Sequence, residues 1–585
     1  MIKTIALRLL FSLVLLFLLG LGAGYYWFVG SIPALPAQQL FVNGHILTMD
    51  VDNRIVTAMA VRGERIVLLG SDAEILTLRD ADTQVHDLDG HSLLPGFIDA
   101  HGHFPGTGLS GVGIDLSSPP IGSVNNIADI QELLRAGLGK GNDEDWLFGF
   151  AYDDSLLAEG LHPSRADLDA VSLTRPIYLM HSSGHMAVVN SAGLRLAGIT
   201  ADTPNPGGGV IVRDSQTDEA TGLLLEHAMD LVAPLAMNFS AFDFLSMVDE
   251  ATEQYLAAGV TTLQSGGVDS RMLNGLYWLS RAQRIPQRVI TWPLADGSFE
   301  QLTSGELNLE KFHSEKFSAS AIKLIVDGSI QGYTAYLSEP YFKQQTDQQD
   351  QNYRGFPRYQ QAELNKKVTG LYCHGLHLAL HGNGDAAIDM IAIAMASAQK
   401  TCPREDTRTI LVHAQTARPD QLDAMKKLDI TPSFFSAHSF FWGDRHRDQF
   451  LGPERGSRIS PLADAVARDL RFTVHLDSPV VPMDVNRLLW ASITRQTRSG
   501  LVLGPEQRIS AMQAIRAVTI DAAWQSFKEQ DTGSLEVGKL ADLVLLDRDP
   551  LAGDDNLLNF RVDKVWIGGR CYFQRGADQC REASP

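Results

Sequence analysis

The chain has 585 residues, of which 44% are hydrophobic and 20% are charged. This composition allows several globular domains with large cores and excludes disordered, collagen-like and small secreted scaffolds. The 69 acidic residues outnumber the 49 basic ones, for a net charge of −20, which argues against a nucleic-acid partner because such a partner requires a basic protein surface. Four cysteines are too few for a disulfide framework.

Residues 1–30 predict a membrane anchor. Lys3 and Arg8 precede an uncharged apolar run at residues 9–29, whose helical length of roughly 32 Å is enough to cross a hydrocarbon core of about 30 Å. The positive flank should stay cytoplasmic, so the rest of the chain is expected to be exported, to the bacterial periplasm or the cell exterior. A cleaved signal peptide is the alternative, with a cleavage-like sequence at residues 34–37, and a buried core helix is a third.

Short strand patterns occur at both ends of the chain. Between residues 39 and 94, short apolar runs are separated by glycines that are typical of turns. Similar short apolar runs occur again at residues 541–546 and 564–567. We therefore expect residues 39–94 and 531–577 to form one small β-sandwich domain around a long α/β middle.

The middle of the chain, residues 95–530, alternates strand-like apolar runs with helical stretches. The number of these runs is the one that a (β/α)8 barrel needs. They lie at residues 94–100, 260–264, 288–294, 321–326, 376–380, 409–412, 430–435 and 472–474. The long gap after the first run predicts an insertion at residues 104–249, to which we assign a further apolar run at residues 176–180.

Polar side chains follow several of the predicted strands at the point where each ends. His101 and His103 should point to one side of the chain, because alternate residues of a strand share a face. The other strand ends supply Lys323, His381, His413 and Asp477. Barrel active sites lie at this carboxyl end, and zinc accepts imidazole and carboxylate ligands. The ordered set therefore predicts a metal site, although a single His at a strand end is more often a hydrogen-bonded core residue.

A set of motifs is spread over nearly the whole chain. They occupy residues 94–103, 322–329, 334–335, 381–385, 412–415, 475–480 and 533–544, with two more inside the insertion at 184–191 and 221–226. Together they resemble the amidohydrolase superfamily, and within it the amidohydrolase family 3 branch of N-substituted formamide deformylases and related metal-dependent amidohydrolases. The resemblance extends from residue 39 to about residue 576.

The resemblance implies a site for one or two divalent metal ions, with zinc as the expected metal. The implied ligands are His101, His103, Lys323, His381, His413 and Asp477. Lys323 would be carboxylated and bridge two metals; the alternative is an ordinary ammonium paired with Asp327 or Asp477. A metal ion lowers the pKa of bound water to about 7. Asp477 could take the proton of that water and pass it to the leaving nitrogen, or serve as a ligand only.

Substrate recognition is expected from the insertion and the loops. The candidate substrate-binding residues are His185, Glu226, His438, Trp442, Asp444 and His446. The aromatic stretch at residues 434–442 could stack on an apolar or aryl substituent, or could pack in the core, and His185 could equally be structural. The sequence departs from the branch at Gln264, at the end of the second strand, at Tyr333, in a segment without the expected arginine, and at His475, at the start of the last motif. None of these removes a proposed ligand, but the first two alter positions near the cavity and leave the substrate open.

The sequence thus predicts an exported, membrane-anchored amidohydrolase that cleaves a non-peptide C–N bond of a small-molecule amide with a metal-activated water. The alternatives are other hydrolysis (of an ester, or a deamination) or isomerisation on the same scaffold, and a non-catalytic binding or regulatory protein of the envelope. A homo-oligomer is compatible with the sequence. In an exported chain, Cys571 and Cys580 could form a disulfide.

Overall fold

Parallel strands form the centre of the protein. The computed structural model describes residues 32–139, 145–344, 350–577 and 580. One sheet contains Phe97–Ile98, Val260–Val268, Arg288–Pro293 and Phe317–Ala319, and a second contains Ile322–Ile325, Leu378–Gly382, Thr409–His413, Ile430–Phe434 and Thr473–Val474. A parallel bridge between Leu294 and Lys323 joins the two sheets, so that Phe317–Ala319 and Ile322–Ile325 act as one interrupted strand. When these two are counted as one strand, each barrel strand overlaps one of the apolar runs of the sequence.

The first and last strands meet at their carboxyl ends. The backbone N–H of Asp477 donates to the carbonyl of His101 at 3.2 Å, and that of His103 donates to the carbonyl of Ser478 at 2.8 Å. Together with the parallel pairing of neighbouring strands, these bonds close the ring in the order of a (β/α)8 barrel. The central strands Leu378–Gly382, Thr409–His413 and Ile430–Phe434 are buried at every residue, as parallel strands covered on both faces should be.

Helices cover the outside of the barrel. The principal ones are Ala241–Ala257, Ser270–Arg281, Phe299–Ser304, Gln361–Cys373, Asp385–Thr401, Pro419–Lys427, Leu462–Val466, Val485–Thr494, Ala511–Ala517 and Ile520–Gln525, with shorter turns at His438–Phe441, Gly443–Arg445, His446–Phe450 and Gly452–Ser457. The long helix before the second strand begins with a capping box, in which Ser240 and Asp243 exchange side-chain-to-backbone hydrogen bonds.

The segment between the first two barrel strands forms a sheet of its own. Its strands, in spatial order, are Gly209–Arg213, Ala220–Glu226, Met186–Val189, Ile177–His181, Leu147–Tyr152 and Ile114–Asp115. Helices Ile127–Gly137, Arg165–Asp169 and Ser191–Leu196 accompany it. The apolar run at residues 176–180 therefore lies in this sheet and not among the barrel strands.

Both chain ends contribute to a pair of packed sheets. One contains Arg65–Gly70, Ala58–Arg62, Gln38–Val42 and Thr83–Asp87; the other contains Arg570–Gln574, Val562–Ile567, Leu543–Leu546, Ser92–Pro95, His45–Leu47 and Ile55–Val56. Buried side chains from both sheets meet between them, with the ring of Phe41 packing edge-on to Trp566 at 5.3 Å. The strand after residue 540 pairs directly with Ser92–Pro95, which is why the two ends form one unit.

The predicted fold class is wrong in one respect. In the described part of the chain, no helix combines the length and the apolar character needed to cross a membrane. The expected anchor, residues 1–30, lies outside the described residues. The fold class is therefore an α/β barrel fold with a β-sandwich, and the transmembrane helix and the membrane partner are withdrawn from it.

The four cysteines of the sequence form two disulfide bonds. Cys571 pairs with Cys580, the pair considered for an exported chain. Cys373 pairs with Cys402, a second bond that the sequence analysis did not predict. It ties the end of helix Gln361–Cys373 to the end of helix Asp385–Thr401, with 5.5 Å between the two Cα atoms.

His86 gives the β-sandwich an acid-sensitive contact. Its ring stacks on Phe41 at 4.7 Å, and its Nε2 lies 3.0 Å from Gln39 Oε1. Burial, assisted by nearby Lys564, lowers the pKa of His86 from 6.5 to about 4. The unfolded chain therefore binds this proton more readily than the folded chain. The stabilising contribution of the neutral ring is present above pH 6.5 and is lost as the pH falls towards 4.

We predict that His86→Gln weakens the acid sensitivity of folding. Between pH 6.5 and pH 4, the wild-type free energy of unfolding should fall by up to roughly 3 kcal/mol more than that of the variant. Thermal denaturation followed across this pH range measures the difference. His313→Gln, at a partly exposed site, is the control and should keep the wild-type slope. Equal slopes for wild type and His86→Gln would contradict the assignment.

Candidate metal centre

The carboxyl ends of the barrel strands bring the predicted metal ligands together. His101 and His103 follow Phe97–Ile98, and Asp477 follows Thr473–Val474. The remaining three lie within or at the end of their strands: Lys323, His381 and His413. The ligand atoms of His101, His103 and Asp477 all lie within 4.8 Å of one another.

The carboxylate of Asp477 is the common neighbour of these imidazoles. Its Oδ1 lies 3.3 Å from Nε2 of His101 and 3.2 Å from Nε2 of His103, and its Oδ2 lies 3.9 Å from Nε2 of His413. The side chain is buried, and Oδ1 has no hydrogen-bond partner among the described residues. Burial opposes ionisation, but the interaction with His413 prevails and holds the pKa of Asp477 well below its usual value.

The hydrogen bonds on the far side of two imidazoles fix their tautomers. Nδ1 of His101 lies 3.0 Å from Gln264 Oε1, an atom that also accepts the backbone N–H of Gly102. Nδ1 of His103 donates to the carbonyl of Gly266 at 2.8 Å. Both Nδ1 atoms therefore carry the proton, and both Nε2 atoms present lone pairs to Asp477 Oδ1. Each of these nitrogen lone pairs lies within 3.3 Å of Asp477 Oδ1 and repels it unless a cation lies between them, so the residues fit a divalent metal ion.

Lys323, His381 and His413 surround this trio. Lys323 Nζ lies 3.0 Å from His101 Nε2, and burial lowers the pKa of Lys323 to about 7, against the opposing effect of Asp477. The ring centroids of His381 and His413 are 4.5 Å apart. His381 Nδ1 lies 3.1 Å from Asp327 Oδ1. These three residues are close enough to complete the first site or to build a second beside it.

A layer of polar side chains lies behind the ligands, and the sequence analysis did not predict it. His413 Nδ1 lies 3.0 Å from His475 Nε2, and His475 Nδ1 lies 2.9 Å from Ser433 Oγ. His475 and Gln264 both stand at positions where the sequence departs from the pattern of its branch. The departures themselves were the available signal, since each places a hydrogen-bonding side chain directly behind a ligand.

Most of the candidate ligands line a cavity of about 390 Å³, namely His103, Lys323, His381, His413 and Asp477. Much of the remaining wall is apolar and includes Leu109, Met180, Met237, Phe239, Phe244, Met247, Met272 and Ile325. These residues come from the inserted segment, from helices Ala241–Ala257 and Ser270–Arg281 and from the fourth strand. Most of this apolar wall was not predicted. The sequence offered no signal for it, because its members are far apart in the chain.

Of the predicted substrate-binding residues, His185 lines this cavity. Its ring centroid is 5.2 Å from that of His381, and its Nδ1 lies 2.9 Å from Glu226 Oε2. Glu226 is buried behind it and lies 3.5 Å from Arg358. Burial opposes ionisation of Glu226, but His185 and Arg358 lower its pKa to about 2. The ionised carboxylate of Glu226 therefore holds His185 from the side away from the cavity.

The other predicted substrate-binding residues lie elsewhere. Trp442 lines an adjoining cavity of about 190 Å³ and donates from Nε1 to Asp153 Oδ2 at 2.7 Å. His438 and His446 are buried against each other, 2.8 Å apart. Asp444 accepts hydrogen bonds from Thr497 and Ser499 and so holds a loop. None of His438, Asp444 and His446 lines either of these two cavities.

A second group of ligand-type side chains is satisfied by its own hydrogen bonds. Asp153, Asp154 and His181 lie close together in the inserted segment. His181 Nδ1 accepts from the backbone of Ser183 at 3.1 Å, so its Nε2 carries the proton and donates to Asp154 Oδ1 at 3.1 Å. Asp477 Oδ1, in contrast, has no such donor among the described residues. We therefore assign the metal to the site at the carboxyl end of the barrel.

Comparison with known proteins agrees with this geometry. Residues 84–573 match the model of the amidohydrolase family. The chain belongs to the amidohydrolase family. This amidohydrolase is 27% identical to the N-substituted formamide deformylase of Arthrobacter pascens over 545 residues, which cover 92% of this chain and 98% of that protein. The predicted superfamily is thereby confirmed.

Two solved structures share the fold of this amidohydrolase. An uncharacterized metal-dependent hydrolase from Pyrococcus horikoshii superposes with a TM-score of 0.70 at 24% identity, covering 89% of this chain and 99% of that one. One from Pyrococcus furiosus gives 0.67 at 26% identity, covering 88% and 100%. With the ligand cluster, these findings confirm the prediction of a metal-dependent hydrolase that acts on C–N bonds other than peptide bonds.

We predict that His103→Asn lowers the metal affinity at least tenfold, because it removes one of the three converging lone pairs. Elemental analysis after dialysis against a weak chelator measures the metal bound per chain. His313→Asn, at a site remote from the cavity, should retain the wild-type metal content. Wild-type metal content in His103→Asn would contradict the assignment of this imidazole as a ligand.

Proposed function

We propose that this amidohydrolase cleaves a small N-substituted amide with a bulky apolar substituent. The observation that carries the proposal is that most of the candidate metal ligands line a cavity whose wall also contains Met, Phe and Leu side chains. Such a wall favours an apolar group at roughly 25 cal/mol for each Å² removed from water. The name of the Arthrobacter pascens relative, an N-substituted formamide deformylase, supports an N-substituted amide.

A divalent ion, which we propose to be zinc, would be held by His101, His103 and Asp477, with His381 and His413 for the same ion or a second one. When bound, such an ion polarises the scissile carbonyl and lowers the pKa of a coordinated water to about 7. The choice of zinc rests on the donor set, since imidazole and carboxylate are its usual ligands in catalytic sites.

Asp477 is the proposed proton carrier. Its Oδ1 faces the two ligand nitrogens, whereas its Oδ2 faces His413 at 3.9 Å. The second oxygen is therefore available to take a proton from the attacking water and to deliver it to the leaving nitrogen. The low pKa of the carboxylate keeps it ionised in the resting enzyme.

His185 is the proposed contact to the substrate. Its Nδ1 is engaged by Glu226, which leaves Nε2 as the ring atom available to a substrate in the cavity. Because Glu226 is ionised and buried, the pair holds the ring in one orientation, in the way that a carboxylate orients a catalytic imidazole. The adjoining cavity, which Trp442 lines, would bind the other substituent of the amide. It shares four lining residues with the metal cavity: Gly106, Ser182, Pro479 and Val480.

We predict that Asp477→Asn lowers kcat by two to four orders of magnitude, the usual contribution of a positioned general base. The assay uses metal-loaded enzyme with formamides and acetamides that carry N-benzyl or N-methyl groups. The N-benzyl substrates should have the higher kcat/KM, by roughly tenfold or more. Asp444→Asn, a matched change in a loop carboxylate, should stay within about threefold of wild type.

Two results would overturn this function. One is wild-type turnover in Asp477→Asn, which would remove the proton carrier. The other is the absence of turnover on every amide of the series by the metal-loaded wild type.

We also propose that Lys323 is carboxylated and bridges two metal ions. Its Nζ is buried beside His101 Nε2, and its lowered pKa provides the neutral amine that reacts with carbon dioxide. Wild type loaded in bicarbonate should then bind two metals per chain, and Lys323→Gln at most one. Elemental analysis measures this ratio, with Lys311→Gln as the control. One metal per chain in both wild type and Lys323→Gln would contradict the bridge.

An exported location is the last part of the proposal. Two disulfide bonds are typical of proteins from oxidising compartments such as the bacterial periplasm or the cell exterior. We therefore propose that the enzyme works in such a compartment.

A further inference from the structure

A chain of buried hydrogen bonds runs behind the candidate ligand on the sixth barrel strand. Its members come from that strand, from the seventh and eighth strands, from the loop after the eighth and from the last barrel helix. In order they are His413, His475, Ser433, Thr473 and Gln525. Each is at most 4% exposed, so the polar atoms of the chain depend on one another for hydrogen bonds.

The end of the chain that is remote from the candidate ligand has a fixed direction. Nε2 of Gln525 donates to the carbonyl of Ala100 at 2.9 Å, and a carbonyl oxygen can only accept. This bond orients the amide, so that its Oε1 is the atom 2.7 Å from Oγ1 of Thr473. Because Oε1 carries no proton, the hydroxyl of Thr473 must donate to it.

The direction of the next two bonds follows from the number of protons available. A hydroxyl group has one proton to donate, and Thr473 uses its proton for Gln525. The hydroxyl of Ser433, whose oxygen lies 2.8 Å from Oγ1 of Thr473, must therefore donate to Thr473. Ser433 then offers only a lone pair to Nδ1 of His475, which is 2.9 Å away. This nitrogen of His475 must carry the ring proton.

His475 passes the direction on to His413. In the described part of the chain, no carboxylate lies within ion-pair distance of His475, which is 1% exposed. Burial therefore keeps the ring neutral, with a single proton. Its Nε2 has a lone pair and accepts from Nδ1 of His413 at 3.0 Å. In neutral His413 the free lone pair is then on Nε2, the atom that lies 3.9 Å from Asp477 Oδ2.

We propose that His475 is a positioning residue that holds His413 in the tautomer able to bind a metal ion. The hydroxyls of Ser433 and Thr473 and the amide of Gln525 fix the tautomer of His475 in turn. The inference rests on the metal site of the proposed function. Because the chain ends at the carbonyl of Ala100, which cannot pass a proton on, it orients His413 and does not conduct protons.

Two substitutions of Thr473, in the middle of the chain, test this proposal. In Thr473→Val the hydroxyl of Ser433 loses its acceptor and is expected to donate to Nδ1 of His475 instead. The proton of His475 then moves to Nε2, and that of His413 moves to its own Nε2, the nitrogen that the metal needs. Thr473→Ser keeps the hydroxyl and the direction of the chain.

The measurement is the cobalt affinity of the full-length enzyme, obtained by competition of the cobalt-loaded protein against a chelator. Thr473→Val should bind cobalt at least tenfold more weakly than wild type, in the range found for groups that orient metal ligands. Its cobalt absorption spectrum should also change, because a ligand is lost. Thr473→Ser should match the wild type in both. Valine fills the space of threonine better than serine does, so a role in packing alone predicts the reverse order.

Wild-type affinity and spectrum in Thr473→Val would overturn the proposal, as would equal losses in the two variants. A wild type that binds no cobalt would overturn the proposed function as well, so the two failures are distinguishable. Neutron diffraction from deuterated wild-type crystals checks the protons without any variant. Deuterons are expected on Nδ1 of His475 and Nδ1 of His413, and a deuteron on Nε2 of His475 would contradict the proposal.

Discussion

The buried carboxylate of Asp477 is the group on which the rest of the site depends. It is ionised, it is surrounded by imidazoles, and one of its oxygens has no donor in the described structure. The hydrogen bonds behind His101 and His103 direct lone pairs, and not protons, at that oxygen. A buried charge in such surroundings is costly unless a cation compensates it. Metal binding thus follows from the protonation pattern of the neighbouring residues as well as from the types of ligand.

The barrel holds this arrangement at the expense of local backbone strain. Asp477 and His413 have φ values of +57° and +75°, and Glu226 behind His185 has +51°. These values lie in the left-handed region that residues other than glycine rarely adopt. The backbone bond from Asp477 to His101 fixes the first of them where the ring of strands closes. Asp477 and His413 line the cavity, and the surrounding sheets supply the stability that retains their strained backbone.

Much of the framework could be predicted from the sequence, because it depends on local patterns. The buried parallel strands are continuous apolar runs in the sequence. A ligand such as His381 lies in one of these strands, so its position could be predicted together with the strand. The cavity wall depends on contacts between distant segments. Met180 and Met272 meet there from the insertion and from a barrel helix, and no spacing in the sequence connects them. The aromatic stretch at residues 434–442 is divided for the same reason: Phe434 is buried in the core, whereas Phe441 and Trp442 line the adjoining cavity.

Single residues were hardest to assign where one type serves several purposes. Asp444 and Asp477 are both aspartates in the loops at the carboxyl end of the barrel, yet one holds a loop through Ser499 and the other faces the ligands. His438 and His446 hydrogen-bond each other, a role that residue type alone does not distinguish from substrate binding. What separates them is the identity of the partner atom, which depends on packing between segments.

Anomalous X-ray diffraction from crystals of the metal-loaded enzyme tests the central claim most directly. We expect a peak at about 2.0–2.2 Å from Asp477 Oδ1 and from Nε2 of His101 and His103, the distances of a zinc site. A metal bound instead beside Asp153, Asp154 and His181, or crystals grown with the metal that show no peak at Asp477, would contradict the account.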